Sequence, residues 1–124
     1  MAAAGLAQFP GSYLSLETLR KNGVAVATPV WFAAHGSTLY VYSLASAGKV
    51  KRVHNNSSVR VAPCDLRGGL RGEWIRCRAR IVIGDEAVLG HCLLDRKYGW
   101  MKRIGGILNR FRRREYAVIA IDVV

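Results

Sequence analysis

The eleven residues from Glu73 to Ile83 constrain this chain more than any other segment. Arg76, Arg78 and Arg80 alternate there with Ile75, Cys77, Ala79 and Ile81. Successive strand side chains point to opposite faces, so a period of two predicts a strand with one apolar and one charged face. Such a half-buried strand belongs in an antiparallel sheet and needs partners with the same alternation. The chain supplies them. Val24, Val26, Thr28, Val30 and Phe32 share one face of a predicted strand, opposite Ala25, Ala27, Pro29 and Trp31. Pro29 has no N–H for a ladder, so this strand has an edge, a bulge or a ligand near that point. His35-Gly36-Ser37 reads as a hairpin turn and Leu39 to Ser43 as the returning strand. Val59 to Cys64 and Tyr116 to Val123 complete the strand set.

Helical signals are fewer. From Ala47 to Asn56 the period changes: Val50 and Val53 lie three apart, with Lys49, Lys51 and Arg52 around them, which predicts a short basic helix. Asp85 is placed to cap a helix running to about Tyr98 and ending at Gly99. Ser15 as N-cap, Glu17 in the first turn, Leu16 and Leu19 as a face and Gly23 as a stop predict another near the start. Residues 1–12 read as a flexible arm, and Asp65 to Gly72 as a glycine-rich turn. With 124 residues, the chain is expected to form a single domain spanning 1–124. Short connections make its strands mostly antiparallel, so the fold class is mainly β: a small barrel-like domain with short helices.

Charge limits the partners. Nineteen Lys and Arg against eight Asp and Glu give +11, which implies something anionic. No acid occurs between Glu17 and Asp65, and the segment Ser43-Leu-Ala-Ser-Ala-Gly-Lys-Val-Lys-Arg52 places small residues before the basic helix. Free N–H groups at a helix start, with Lys49 as a counter-charge, suit a phosphate. The plainer reading is a solvated basic corner. Lys102, Arg103, Arg110, Arg112, Arg113 and Arg114 form a second cluster, either a solvated face or a second anion subsite or nucleic-acid contact. Nucleic acid is not expected, because no helix-turn-helix, RRM, KH or zinc pattern is present. Trp31, Trp74 and Trp100 are read as core or interface residues.

Cys64, Cys77 and Cys92 contain no CxxC pair and are read as core-filling thiols of a reducing compartment. His35, His54 and His91 are scattered, so no metal is expected. The first residues lack a basic n-region and long apolar run, and no stretch approaches the ~20 apolar residues of a membrane span. The expected location is cytoplasmic. No acid, base or nucleophile constellation appears, which leaves the chemistry to a cofactor.

Several segments, in order, resemble a known family. These are Val26-Ala-Thr-Pro-Val-Trp-Phe32, Leu39-Tyr-Val-Tyr-Ser43, Ser46-Ala-Gly-Lys-Val-Lys-Arg52, Asn55-Asn56, Val59 and Ala62-Pro-Cys-Asp65. Together they are similar to the split β-barrel flavin and deazaflavin oxidoreductases related to pyridoxamine 5′-phosphate oxidase, most of all the branch that uses coenzyme F420. The resemblance covers roughly residues 13–82, and Lys97-Tyr98-Gly99 and the last strand more loosely. It implies a split β-barrel, a homodimer with cofactor sites at the interface, and hydride transfer from reduced F420 to a small conjugated acceptor. It also implies that Ala27, Thr28, Pro29, Val30 and Trp31 run along the cofactor ring. Ser43, Ala47, Gly48, Lys49, Lys51 and Arg52 would surround its phosphate. Where related flavin enzymes carry a Ser with an Arg beside it, this chain has Ala47 and Gly48, which favours F420 over FMN. Arg60 or the Lys102–Arg114 cluster is the expected receiver of the acidic F420 tail, and Tyr42 a possible proton donor. An FMN-dependent oxidase or reductase of the same superfamily, a non-catalytic nucleic-acid-binding module, and a barrel that binds or stores a cofactor or haem without turnover are the alternatives.

Overall fold

The computed structural model describes residue 11 and residues 13–44, 47–104 and 116–123. Six strands close into an antiparallel barrel: β1 (Tyr13–Leu19), β2 (Ala25–His35), β3 (Thr38–Leu44), β4 (Ser58–Cys64), β5 (Ile75–Val82) and β6 (Tyr116–Val123). Their order around the barrel is β1-β2-β3-β6-β5-β4. Two helices complete the described residues, α1 (Gly48–Asn55) and α2 (Gly84–Ile104). The expected arm at residues 1–12 and the basic run after Ile104 lie outside them, apart from residue 11.

Alternation builds the barrel interior. Leu14 and Leu16, Val30 and Phe32, Leu39 and Val41, Val59 and Val61, Cys77 and Ala79, and Ile119 and Ile121 form one buried cluster. Each strand thus contributes residues spaced two apart, the pattern a closed sheet requires. Val53 joins this core from α1, with Val50 packed against it. Outside the wall, α2 covers a second cluster containing Ala33, Tyr40, Val82, Leu94, Tyr98, Val118 and Ala120. Contact there is close: a Cβ added at Gly90 would lie 2.6 Å from Val118 Cγ1.

The helix expected around Ser15 is a strand. Tyr13-Leu-Ser-Leu-Glu-Thr-Leu19 also reads with period two, and Leu14, Leu16 and Thr18 are all buried. Pairing with both β2 and β4 satisfies the backbone on two edges, and this outweighs a local capping signal. Of the expected helices two are present among the described residues. The second does not end at Tyr98 but bends there, at φ −116° and ψ 15°, and continues to Ile104.

The cysteines also divide differently. Cys64 and Cys77 are buried as expected, but Cys92 is exposed on α2. Burial pushes the Cys77 thiol up to about 11, and burial and Asp65 raise that of Cys64. An aromatic disulfide reagent should therefore label the native protein quickly at about one thiol, Cys92, and all three only after unfolding. Loss of the fast phase in Cys92→Ser checks the assignment; rapid labelling of Cys64 or Cys77 would contradict the burial.

Candidate cofactor site

The barrel is closed but not evenly paired. β2 pairs with β1 over Ala25–Trp31 and with β3 only over Phe32–His35. Beyond Val41, β3 pairs with β6 alone, so one edge of Ala25–Trp31 has no partner strand among the described residues. Pro29 sits in this stretch, where a missing N–H costs least. Edge N–H and C=O groups need partners, and a planar heterocycle laid along the strand can provide them.

At the end of this stretch a side chain grips β2. Tyr98 Oη accepts the Phe32 N–H at 3.2 Å and donates to the Phe32 carbonyl at 2.9 Å. Its ring stacks on Trp31 with centroids 4.6 Å apart and an interplanar angle of 4°. Lys97, one residue earlier, places Nζ 3.6 Å from the Phe32 ring centroid. The bend of α2 at Tyr98 thus fixes β2 where it leaves β1.

The strand that leaves β2 leads into α1. Ala47 is the N-cap, with extended backbone and no side-chain capping bond, and the first turn contains no acid. Cations occupy this positive helix end instead. Arg52 reaches back one turn, so that a Cβ at Gly48 would lie 2.6 Å from its Nη1. Its Nε donates to Thr18 Oγ1 at 2.6 Å, which fixes the guanidinium. Lys49 is half-buried, and burial first, then Arg52, lowers its ammonium below the ordinary range. Cations at a helix N-terminus oppose the macrodipole, so the arrangement gains stability when an anion binds.

The expected site residues fall into three groups. Ala27 and Pro29 are exposed on the outer face of β2, and Trp31 is half-buried beside them. Val30 points into the core, leaving its backbone for any ligand. Thr28 Oγ1 is buried without a hydrogen-bond partner among the described residues, an orphaned hydroxyl on the same stretch. Ser43 is buried near the end of β3, and Ala47, Gly48, Lys49 and Arg52 gather at the start of α1, with Lys51 exposed. Arg60 does not join them. Glu17, directly across the strand pair, binds it in two contacts of 2.7 and 2.8 Å, and its guanidinium lies over Trp74. Glu17 and Trp74 thus hold the Arg60 guanidinium on the outer face of β4. Tyr42 is likewise engaged under α2, donating to Asp95 Oδ1 at 2.9 Å. The side chains of Lys102–Arg114 lie outside the described residues. No group of three or more metal-ligating residues occurs among those described.

One contributor is not legible in the sequence. Thr18 anchors Arg52 from 34 positions away, which no local pattern reveals. Gly48 followed four residues later by Arg52 was legible, since long helical side chains lean toward the N-terminus. Arg52 thus places its guanidinium beside Gly48. The orphaned hydroxyl, the open edge and the uncapped cationic helix fit a planar cofactor ending in a phosphate.

No family model matches the sequence, and no curated protein does. Solved structures do match. A conserved hypothetical protein from Mycobacterium tuberculosis superposes with TM-score 0.72 at 18% identity, over 99% of this chain and 81% of that one. An F420 reductase gives 0.65 at 18% identity, over 97% and 91%. A pyridoxamine 5′-phosphate oxidase-like protein from Listeria innocua gives 0.59 at 17% identity, over 91% and 84%. FAD-binding and haem-binding proteins are also among the matches. The chain therefore has the split-barrel fold of the pyridoxamine 5′-phosphate oxidase-like proteins.

Proposed function

We propose that this chain is an F420-dependent oxidoreductase that reduces a small conjugated organic acceptor. One observation carries the reading: an uncapped helix start holding Lys49 and Arg52 follows directly from the strand that leaves β2 open. When bound, a reduced deazaflavin supplies a hydride. The protein's part is to bind, orient and exclude water. Lys49, Arg52 and the first N–H groups of α1 neutralise the phosphate, with Lys51 beside them. The backbone of Ala27–Trp31 aligns the ring, and the packed barrel behind Val30 excludes water from that side.

A homodimer is part of this reading. Ala25, Ala27 and Pro29 form a small, exposed face on β2. The loop after β4 lies against it, since a Cβ at Gly68 would be 3.9 Å from Pro29 Cδ, and it exposes Leu66 and Leu70 at 66% and 50%. A second copy covering this face would enclose the cofactor edge.

The F420 reductase match and the charge of +11 favour deazaflavin over FMN, because F420 continues past its phosphate into several carboxylates. Fluorescence titration should show F420 binding at least about tenfold more tightly than FMN, about 1.4 kcal/mol. Part of the difference should fade at high salt, which screens exposed charges over ~8–10 Å. Equal affinities, or a preference indifferent to salt, would overturn the deazaflavin assignment in favour of FMN or a different ligand.

A further inference from the structure

On the outer wall of β4 and β5, away from the residues assigned to the cofactor, four arginines meet three carboxylates. Arg60 is opposite Arg76 in the strand register, and Ser58 opposite Arg78, which in turn faces Asp122 on β6. The acids are unevenly shared. Glu17 is bound to Arg60, while Glu86 and Asp122 both bind Arg80. Arg76 and Arg78 are exposed and make no ion pair among the described residues. Glu17 compensates Arg60, while no acid among the described residues compensates Arg76 or Arg78, so the row has room for an outside anion.

Two further features shape the wall. Trp74, half-buried, precedes Arg76 by two positions and lies against Arg60, whose Cζ is 4.9 Å from its ring centroid. The order Trp74, Arg76, Arg78, Arg80 thus runs along one outer row, with alternate side chains about 6.7 Å apart. A depression of about 500 Å³ lined by Ser57, Arg78, Ala79, Arg80, Asp122 and Val123 continues it. Glu73, exposed at the head of the row, is the acid flanking Trp74.

We infer that this wall binds single-stranded nucleic acid, with Arg76 and Arg78 on successive phosphates and Trp74 offering a surface on which an unpaired base stacks. None of the helix-turn-helix, RRM, KH or zinc patterns is needed for this mode: Trp74 lies immediately before β5, two positions from Arg76 in the basic row. An extended row of cations beside an aromatic ring is the arrangement that binds unpaired strands with little sequence preference. Duplex DNA offers phosphates but no free base face, so the wall favours the single strand.

Fluorescence anisotropy with a labelled twelve-nucleotide oligo-dT, at 50 and 200 mM salt, tests this. The intact chain should bind the single strand more tightly than a duplex of equal length. Arg76→Ala with Arg78→Ala should weaken binding about tenfold or more and flatten the log–log salt slope by about 1.4, two single-strand contacts. Arg20→Ala with Lys21→Ala removes the same charge from the exposed β1–β2 turn and should leave the slope nearly unchanged. Trp74→Leu should weaken single-strand binding while leaving the slope intact. Circular dichroism and thermal melting establish that each variant folds. No binding by the intact chain, equal losses in the two double variants, or equal affinity for duplex would overturn the inference.

Discussion

Tyr98→Phe is expected to destabilise the protein by about 2–4 kcal/mol, although it removes one oxygen atom. That oxygen pairs with both the N–H and the carbonyl of Phe32. Removing a hydrogen-bond partner from a buried backbone group costs on the order of 1–3 kcal/mol. The stack on Trp31 survives in the phenylalanine, so the loss reports the hydrogen bonds. Thermal melting should show a fall of about 10 °C. Alkaline pH gives an independent reading. Burial pushes the Tyr98 hydroxyl up to about 12 from 10.0, so the folded chain keeps its proton where the unfolded chain has lost it. This contribution is fully present below pH ~10 and is lost as pH rises towards 12. Tyr98→Phe lacks it. A variant as stable as the parent would show that the hydroxyl does not hold β2.

The second large effect belongs to Lys49. Lys49→Ala should weaken cofactor binding by about 1.5–3 kcal/mol, the value of a charge-assisted contact, with little change in the melting of the free protein. Its pH dependence has a definite sign. Burial and Arg52 lower the Lys49 pKa from 10.5, so the folded chain releases this proton before the unfolded one does. Without ligand, stability from this group rises with pH through that window, because the cost of a half-buried cation is removed. Anion binding runs the other way and weakens as the ammonium is lost. Cofactor titrations from pH 7 to 10 should show affinity falling in the parent and a flatter profile in Lys49→Ala. Equal affinities for parent and variant at neutral pH would place the phosphate elsewhere.

Much of the fold is legible in alternation. β5, β4 and β6 are read from buried residues two apart, and the face assignment of β2 follows the same rule. β1 is not, because Leu16 and Leu19 also satisfy helical spacing and only pairing with β2 and β4 decides between them. Pro29 announced an edge, but its position relative to β3 depends on where that strand diverges, which is tertiary information. At the candidate site, Lys49 and the start of α1 are local and could be read. The anchoring of Arg52 by Thr18, the pairing of Arg60 with Glu17 and the grip of Tyr98 on Phe32 join residues from 34 to 66 positions apart. Composition carries no trace of such pairs.

The most direct test of a cofactor lying along β2 with its phosphate on α1 is amide mapping of the isotopically labelled protein during titration with F420 and FMN. Saturating ligand should shift the amides of Ala25–Trp31, except the proline, and of Gly48–Val50, and slow their hydrogen exchange. The β4–β5 wall should stay unperturbed. Changes confined to that wall, or none at saturating cofactor, would contradict the assignment of the open edge of β2 as the cofactor site.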